Sequence, residues 1–204
     1  MQPASTLSHL GQHDEAADLR LEKLAIWRAQ EPGPMVLQPR IWAAARELAA
    51  AGRHDESTAL FDEGVQILRD RQPVPVVLAG AIQEFAAFQD RHDPARSRAL
   101  RREMAALLEA SLGDGAMQGW SSRASTRAKL GDALAMLNEI ARASALHLQA
   151  LAITREAQGD ENRMTWQQAR RALEHLRRFD PDNPARSEVE ALSARDPLRD
   201  DQRR

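Results

Sequence analysis

A chain of 204 residues that is 43% hydrophobic, 28% charged and 4% aromatic, with no tyrosine, has the composition of a helical globular protein of one stacked domain or two small ones. A net charge of −2 and a pI of 6.3 provide no clustered positive field of the kind that draws nucleic acid or anionic membranes, so neither is expected as a partner. The lack of cysteine excludes disulfides, thiolate metal sites and cysteine nucleophiles, and no apolar run approaches the ~18 residues of a membrane span. The start MQPASTLSHLGQHDE has neither the basic nor the apolar region of a signal peptide, which makes the cytoplasm the expected location. All but Lys23 and Lys129 of the 28 basic residues are arginine. With abundant alanine, that bias fits a GC-rich bacterial genome.

Apolar residues recur at helical spacing along the chain, and the breaks fall at Gly, Pro, Asn and Asp. The pattern predicts a short helix before Gly11, then helices over 14–30, 38–51, 55–71, 76–90, 94–112, 120–136, 140–158, 162–179 and 184–194. Tight turns (GQHD, GRHD, RHDP, LNEI) alternate with longer breaks (EPGPMVLQ, QPVPV, GDGAMQG, GDEN). This is a series of helical hairpins. Residues 11–28 align without a gap to residues 52–69, with eight of eighteen positions identical, among them Gly11/Gly52, His13/His54, Asp14/Asp55 and Glu15/Glu56.

Two readings of the repeated His-Asp-Glu compete, a duplicated chemical site and a repeated turn. The turn explains it without further assumptions. Gly11, Gly52 and Asn138 fall where a helix ends and positive φ is needed. Asp14, Asp55 and Asp93 are expected as N-caps, with Glu15 and Glu56 adding negative charge at the positive helix end and Pro94 opening its helix. The second helices carry large apolar residues interrupted by small ones at Ala16, Ser57, Gly64, Ala143 and Ala150, which lets a neighbouring helix approach closely.

The stretch LGDALAMLNEIARASALHLQALAI, residues 130–153, resembles a tetratricopeptide repeat (TPR). Leu130, Gly131, Leu134, Asn138, Ala143, His147 and Ala150 stand at the pattern's places, and Gly52, Ser57, Phe61 and Gly64 fill those of an earlier unit. The intervals between Gly11, Gly52 and Asn138 give a period near 42 residues rather than 34, which is similar to the kinesin-light-chain variety. The resemblance implies an all-α, right-handed α-solenoid of TPR-like hairpins. Residues 1–194 would form one array of four to five hairpins, the first incomplete, and residues 195–204 a polar tail.

His9 and His13 are four residues apart, a spacing that can share zinc on a helix, but Gly11 interrupts them and no His-Glu-x-x-His pattern is present. No metal site and no cofactor are expected. GDGAMQG lacks the Lys-Ser/Thr ending of a phosphate loop and reads as a linker. The lysine and asparagine clamp by which some TPR proteins hold chaperone tails is not assembled, with Lys only at 23 and 129 and Asn only at 138, 162 and 183.

The expected function is noncatalytic: a protein-protein interaction scaffold binding a peptide or partner protein in the concave groove. A regulatory or sensing TPR module of a larger bacterial signalling protein and a helical enzyme with an unrecognised site stay open as alternatives. The resemblance implies that first helices line the groove, which places Trp42, Arg46, Asp132 and Met136 there, with Glu84 and Phe88 from the third unit. At the incomplete first hairpin, an upstream domain or an oligomer contact is expected to cover Leu7, Leu10 and Leu19.

Overall fold

A computed structural model describes residues 3–30, 33–71, 74–113 and 119–196. Its helices are α1 (Pro3–His9), α2 (His13–Ala29), α3 (Pro34–Ala50), α4 (His54–Asp70), α5 (Pro75–His92), α6 (Pro94–Gly113), α7 (Trp120–Met136), α8 (Ile140–Gln158), α9 (Arg163–Phe179) and α10 (Arg186–Ser193). No strand occurs among the described residues. The linker read at GDGAMQG and the tail beyond residue 196 lie largely outside them.

The helix boundaries follow the sequence pattern closely, with one extension. Helix α3 begins at Pro34 rather than 38, with Gly33 before it and Pro39 inside it. Proline fits a first helical position, and Pro39 removes only one amide donor near the helix start. Asn162 caps α9 by accepting from the Met164 amide at 2.8 Å.

Three of the tight turns share one backbone geometry. Gly11, Gly52 and Asn138 have φ of 76°, 77° and 67°. Their amides donate to Ser8, Ala49 and Ala135, and the following amides of Gln12, Arg53 and Glu139 donate to Leu7, Leu48 and Leu134. This paired closure satisfies the last carbonyls of the first helix. The residue after the left-handed one then serves directly as N-cap of the second helix, and its carbonyl accepts from Ala16, Ser57 or Ala143. That arrangement corrects the capping assignment. Gln12 and Arg53 occupy the caps with no side-chain cap bond, and Asp14 and Asp55 sit one residue inside the helix. Their carboxylates therefore act on the helix dipole and not as caps. The turns at Asp93-Pro94 and Asp180-Pro181 are built otherwise. Their Asp residues have φ of −142° and −144°, and each donates its amide to the carbonyl four residues back.

The contacts divide the chain into two compact units, Met1–Pro94 and Ala95–Arg204. In the first, α2 packs along α3, α3 along α4 and α4 along α5. Helices α3 and α4 close tightly because Gly64 lies under the Trp42 ring and Ser57, fully buried, donates to the Ala45 carbonyl at 2.8 Å. Trp42 meets Phe61 edge-on at 5.0 Å, and Phe61 stacks on Phe85 at 5.4 Å. These rings form the centre of the unit's core with Ile41, Leu48 and Ile82.

In the second unit α7 packs along α8, α8 along α9 and α9 along α10. Here the small residue is on the first helix: a Cβ on Gly131 would meet the His147 ring at 2.8 Å. Leu151, Ala169, Leu173, Leu176, Val189 and Leu192 make the apolar core of α8, α9 and α10. Asp196, expected in a polar tail, is buried and paired with Arg170 at 3.0 Å.

Candidate interaction surface

In the first unit the first helices of two successive hairpins are α3 and α5. Arg46 on α3 and Glu84 on α5 form a two-pronged ion pair, Nε to Oε1 and Nη2 to Oε2, the latter at 2.8 Å. The planar guanidinium matches a carboxylate in this way and fixes both side chains. Burial pushes the Glu84 carboxyl up, but the bonds from Arg46 and from the Trp42 indole outweigh it and hold it below its ordinary value.

In the second unit the corresponding helices are α7 and α9. Asp132 on α7 pairs with Arg171 on α9, and its other oxygen lies 3.2 Å from His147 Nε2 on α8. Burial pushes the Asp132 carboxyl up, yet His147 and Arg171 together keep it below the usual carboxylate range. Lys129, one turn earlier, is held below its ordinary value by burial and by the Arg171 charge. A cleft of about 290 Å³ beside this pair is lined by Trp120, Ser125, Met164, Gln167, Gln168 and Arg171.

The six residues expected in the groove therefore separate. Arg46, Glu84 and Asp132 stand on first helices, each engaged by an opposite charge. Met136 is exposed at the end of α7. Trp42 does not project outward: it is 5% exposed and packs against Phe61 and Gly64. Phe88 is half-buried among Phe61, His54 and His92. Both rings are wanted by the core of a unit whose second helix offers glycine and serine instead of bulk. Arg171 escaped the sequence reading, although a signal exists. It follows Asp132 by 39 residues and Glu84 follows Arg46 by 38, so opposite charges about one hairpin apart mark side chains on adjacent first helices.

The duplicated histidines have structural partners. His13 meets the buried Glu47 at 3.0 Å, and the His54 ring lies tilted against that of His92, centroids 3.7 Å apart. Burial pushes Glu47 up, but His13, Ser8 and Arg20 outweigh it and leave its carboxyl lowered. A second group joins His147 and His175, stacked at 4.4 Å, with Ser144 Oγ 3.0 Å from His175 Nε2. Serine, histidine and aspartate are the residue types of acyl-transfer chemistry. All three side chains at the centre are sealed, Ser144 at 2%, His147 at 0% and His175 at 6% exposure.

No protein-family model matches the chain, and no curated protein sequence matches it. Solved structures do. The nearly identical TPR-like repeats of a Podosopora anserina protein named as a kinesin light chain align, in a single-substitution variant, with a TM-score of 0.66 and 17% identity over 98% of this chain and 93% of that one. The same repeats without that change give 0.65 and 16% over 94% and 90%. BtubC (BKLC) from P. vanneervenii gives 0.58 and 20% over 94% of this chain and 74% of that one. At these identities the shared property is the fold: the chain is an all-α solenoid of TPR-like helical hairpins.

Proposed function

We propose that this protein is a noncatalytic interaction scaffold whose first helices form a groove that holds a peptide or a partner protein, and that its hairpins repeat with a period near 42 residues as one array. The observation that carries this reading is the pairing of successive first helices, Arg46 to Glu84 and Asp132 to Arg171. Side chains held in advance lose less freedom when a ligand arrives, which favours recognition by a rigid face. Exposed Met136 and the Met164 and Trp120 cleft add apolar contact beside the fixed charges. The sealed Ser144, His147 and His175 group supports a noncatalytic role, because no reacting carbonyl can reach it. A cytoplasmic location and a bacterial origin accord with the composition.

The test is selection of peptides from a displayed random library on the full chain, followed by affinity measurement on Arg46→Ala and Met136→Ala. Both positions are exposed enough for the variants to keep their helicity and melting temperature. A loss of roughly 1 kcal/mol or more in at least one folded variant is expected for a contact that matters. Unchanged affinity in both would move binding off the first helices.

A further inference from the structure

The two charge pairs on the first helices differ in what they leave free. Arg46 spends Nε and Nη2 on Glu84, whereas Arg171 donates to Asp132 through Nη2 alone. The Nε and Nη1 of Arg171 meet no acceptor among the described residues, and Arg171 lines the cleft of about 290 Å³ that α7 and α9 leave open beside α8. Gln168, one turn earlier on the same face of α9, lines it too. The Gln168 Nε2 is closed off from solvent and has no hydrogen-bond partner. An amide nitrogen left in that state is costly, and a group that brings an acceptor to it relieves the cost.

The nitrogen is brought toward the cleft by a turn of the amide about its last torsion, which is broad and nearly two-fold. The carbonyl that then takes the buried place is the less costly of the two to leave unpaired. The cleft also holds the opposite demand. Thr154 of α8, 3% exposed, has committed its hydroxyl hydrogen to the Ala150 carbonyl at 2.9 Å, so toward a ligand it can only accept. Ser125 has no hydrogen-bond partner among the described residues, and its hydroxyl serves either way. Whatever fills this space has to accept at one end of a polar group and donate at the other.

We infer that this cleft seats a glutamine side chain of the bound peptide, an inference that rests on the groove reading above. The carboxamide oxygen accepts from Gln168 and from the free edge of Arg171, and the carboxamide nitrogen donates to Thr154 and Ser125. The methylenes lie against Trp120 and the 44% exposed Met164, in the first turns of α7 and α9. A carboxylate has no hydrogen to give Thr154, and the charge of Arg171 is already answered by Asp132. An aliphatic side chain leaves every polar group unmet. At about 290 Å³ the cleft stands at the small end of ligand pockets, with room for one side chain and not for a helix.

The probe is N-acetyl-glutamine methylamide, titrated into the nitrogen-15-labelled full chain and followed by NMR at the Trp120 indole N–H, assigned through Trp120→Phe. A saturable shift with a Kd of roughly millimolar order is expected for so small a ligand. The glutamate and norleucine counterparts at neutral pH should bind about tenfold more weakly. Gln168→Met keeps the shape of the side chain and removes the unpaired amide, so its melting temperature should hold or rise while glutamine loses about tenfold. Glutamate binding as tightly as glutamine, unchanged glutamine affinity in Gln168→Met, or no saturable shift overturns the inference. Library-selected peptides that depend on Arg46 or Met136 and bind Gln168→Met undiminished overturn it as well, and leave the groove reading standing.

Discussion

Replacing Gly64 by alanine sets two well-characterised effects against each other, and the structure decides their sign. In an unobstructed helix interior the change is favourable by about 1 kcal/mol, because glycine is the poorer helix former. At Gly64 a Cβ would meet Trp42 Cε3 and Cζ3 at 2.5 Å. Carbon atoms prefer about 3.5–4.0 Å, so the ring must retreat by roughly 1 Å. It has little room, being 5% exposed and held edge-on by Phe61, which is itself stacked on Phe85. Overpacking of this kind costs about 1–3 kcal/mol, so Gly64→Ala is expected to be destabilising by up to about 2 kcal/mol net. Urea denaturation followed by circular dichroism measures it. In a Trp42→Leu background the obstacle is gone and the same change should become neutral or stabilising, a coupling equal to the overpacking cost of about 1–3 kcal/mol in the double-mutant cycle. If Gly64→Ala alone stabilises the protein by the full helix-propensity increment, the tight contact between α3 and α4 is not there.

Asn138 holds φ of 67° in the turn between α7 and α8; Asn138→Gly should be neutral or mildly stabilising, whereas Asn138→Ala should cost about 1–2 kcal/mol in the same denaturation assay. Burial and the neighbouring His147 push His175 down from 6.5 to about 4. The unfolded chain then binds the extra proton first, so stability is full above pH 6.5 and falls as pH drops from there toward 4. The lowered carboxylates Asp132 and Glu47 lose their contribution only at still lower pH. The decline between pH 6.5 and about 5 is therefore the histidine's, and His175→Asn should flatten it in pH-dependent melts; an unchanged slope would place the titration elsewhere.

What could be read from the sequence was whatever a residue type determines locally. Gly11, Gly52 and Asn138 were legible because positive φ is a property of the residue at that site. Asp14 and Asp55 were misplaced by the same logic. In these turns the helix closure itself delivers the cap position to the residue after the glycine, so Gln12 and Arg53 cap with carbonyls and need no acidic side chain. The third and fifth hairpins could not be registered on a glycine because their turns use Asp93-Pro94 and Asp180-Pro181. Trp42 was illegible for a different reason. Whether a tryptophan on a first helix faces outward depends on the size of residue 64, on another helix, and only the contact between them tells.

Five of the ion pairs follow a rule that joins fold to surface. Arg28 pairs with Glu63, Arg46 with Glu84, Arg142 with Glu109, Arg155 with Glu188 and Asp132 with Arg171, at separations of 35, 38, 33, 33 and 39 residues. Each pair connects a helix to the next helix of the same kind, first to first or second to second. Most of these side chains are well exposed, Arg46 at 61% and Arg142 at 58%, so each pair contributes little to stability. Their effect is on what is left over. A surface whose cations are already held by acids presents a neutral, ordered face, and selectivity for a charged partner then rests on the few cations without one. In the first unit Lys23 and Arg40 meet no carboxylate among the described residues, and both line a cleft between α2 and α3. Stacking thus neutralises much of the repeated surface and leaves selectivity for a charged partner to the few cations outside these pairs.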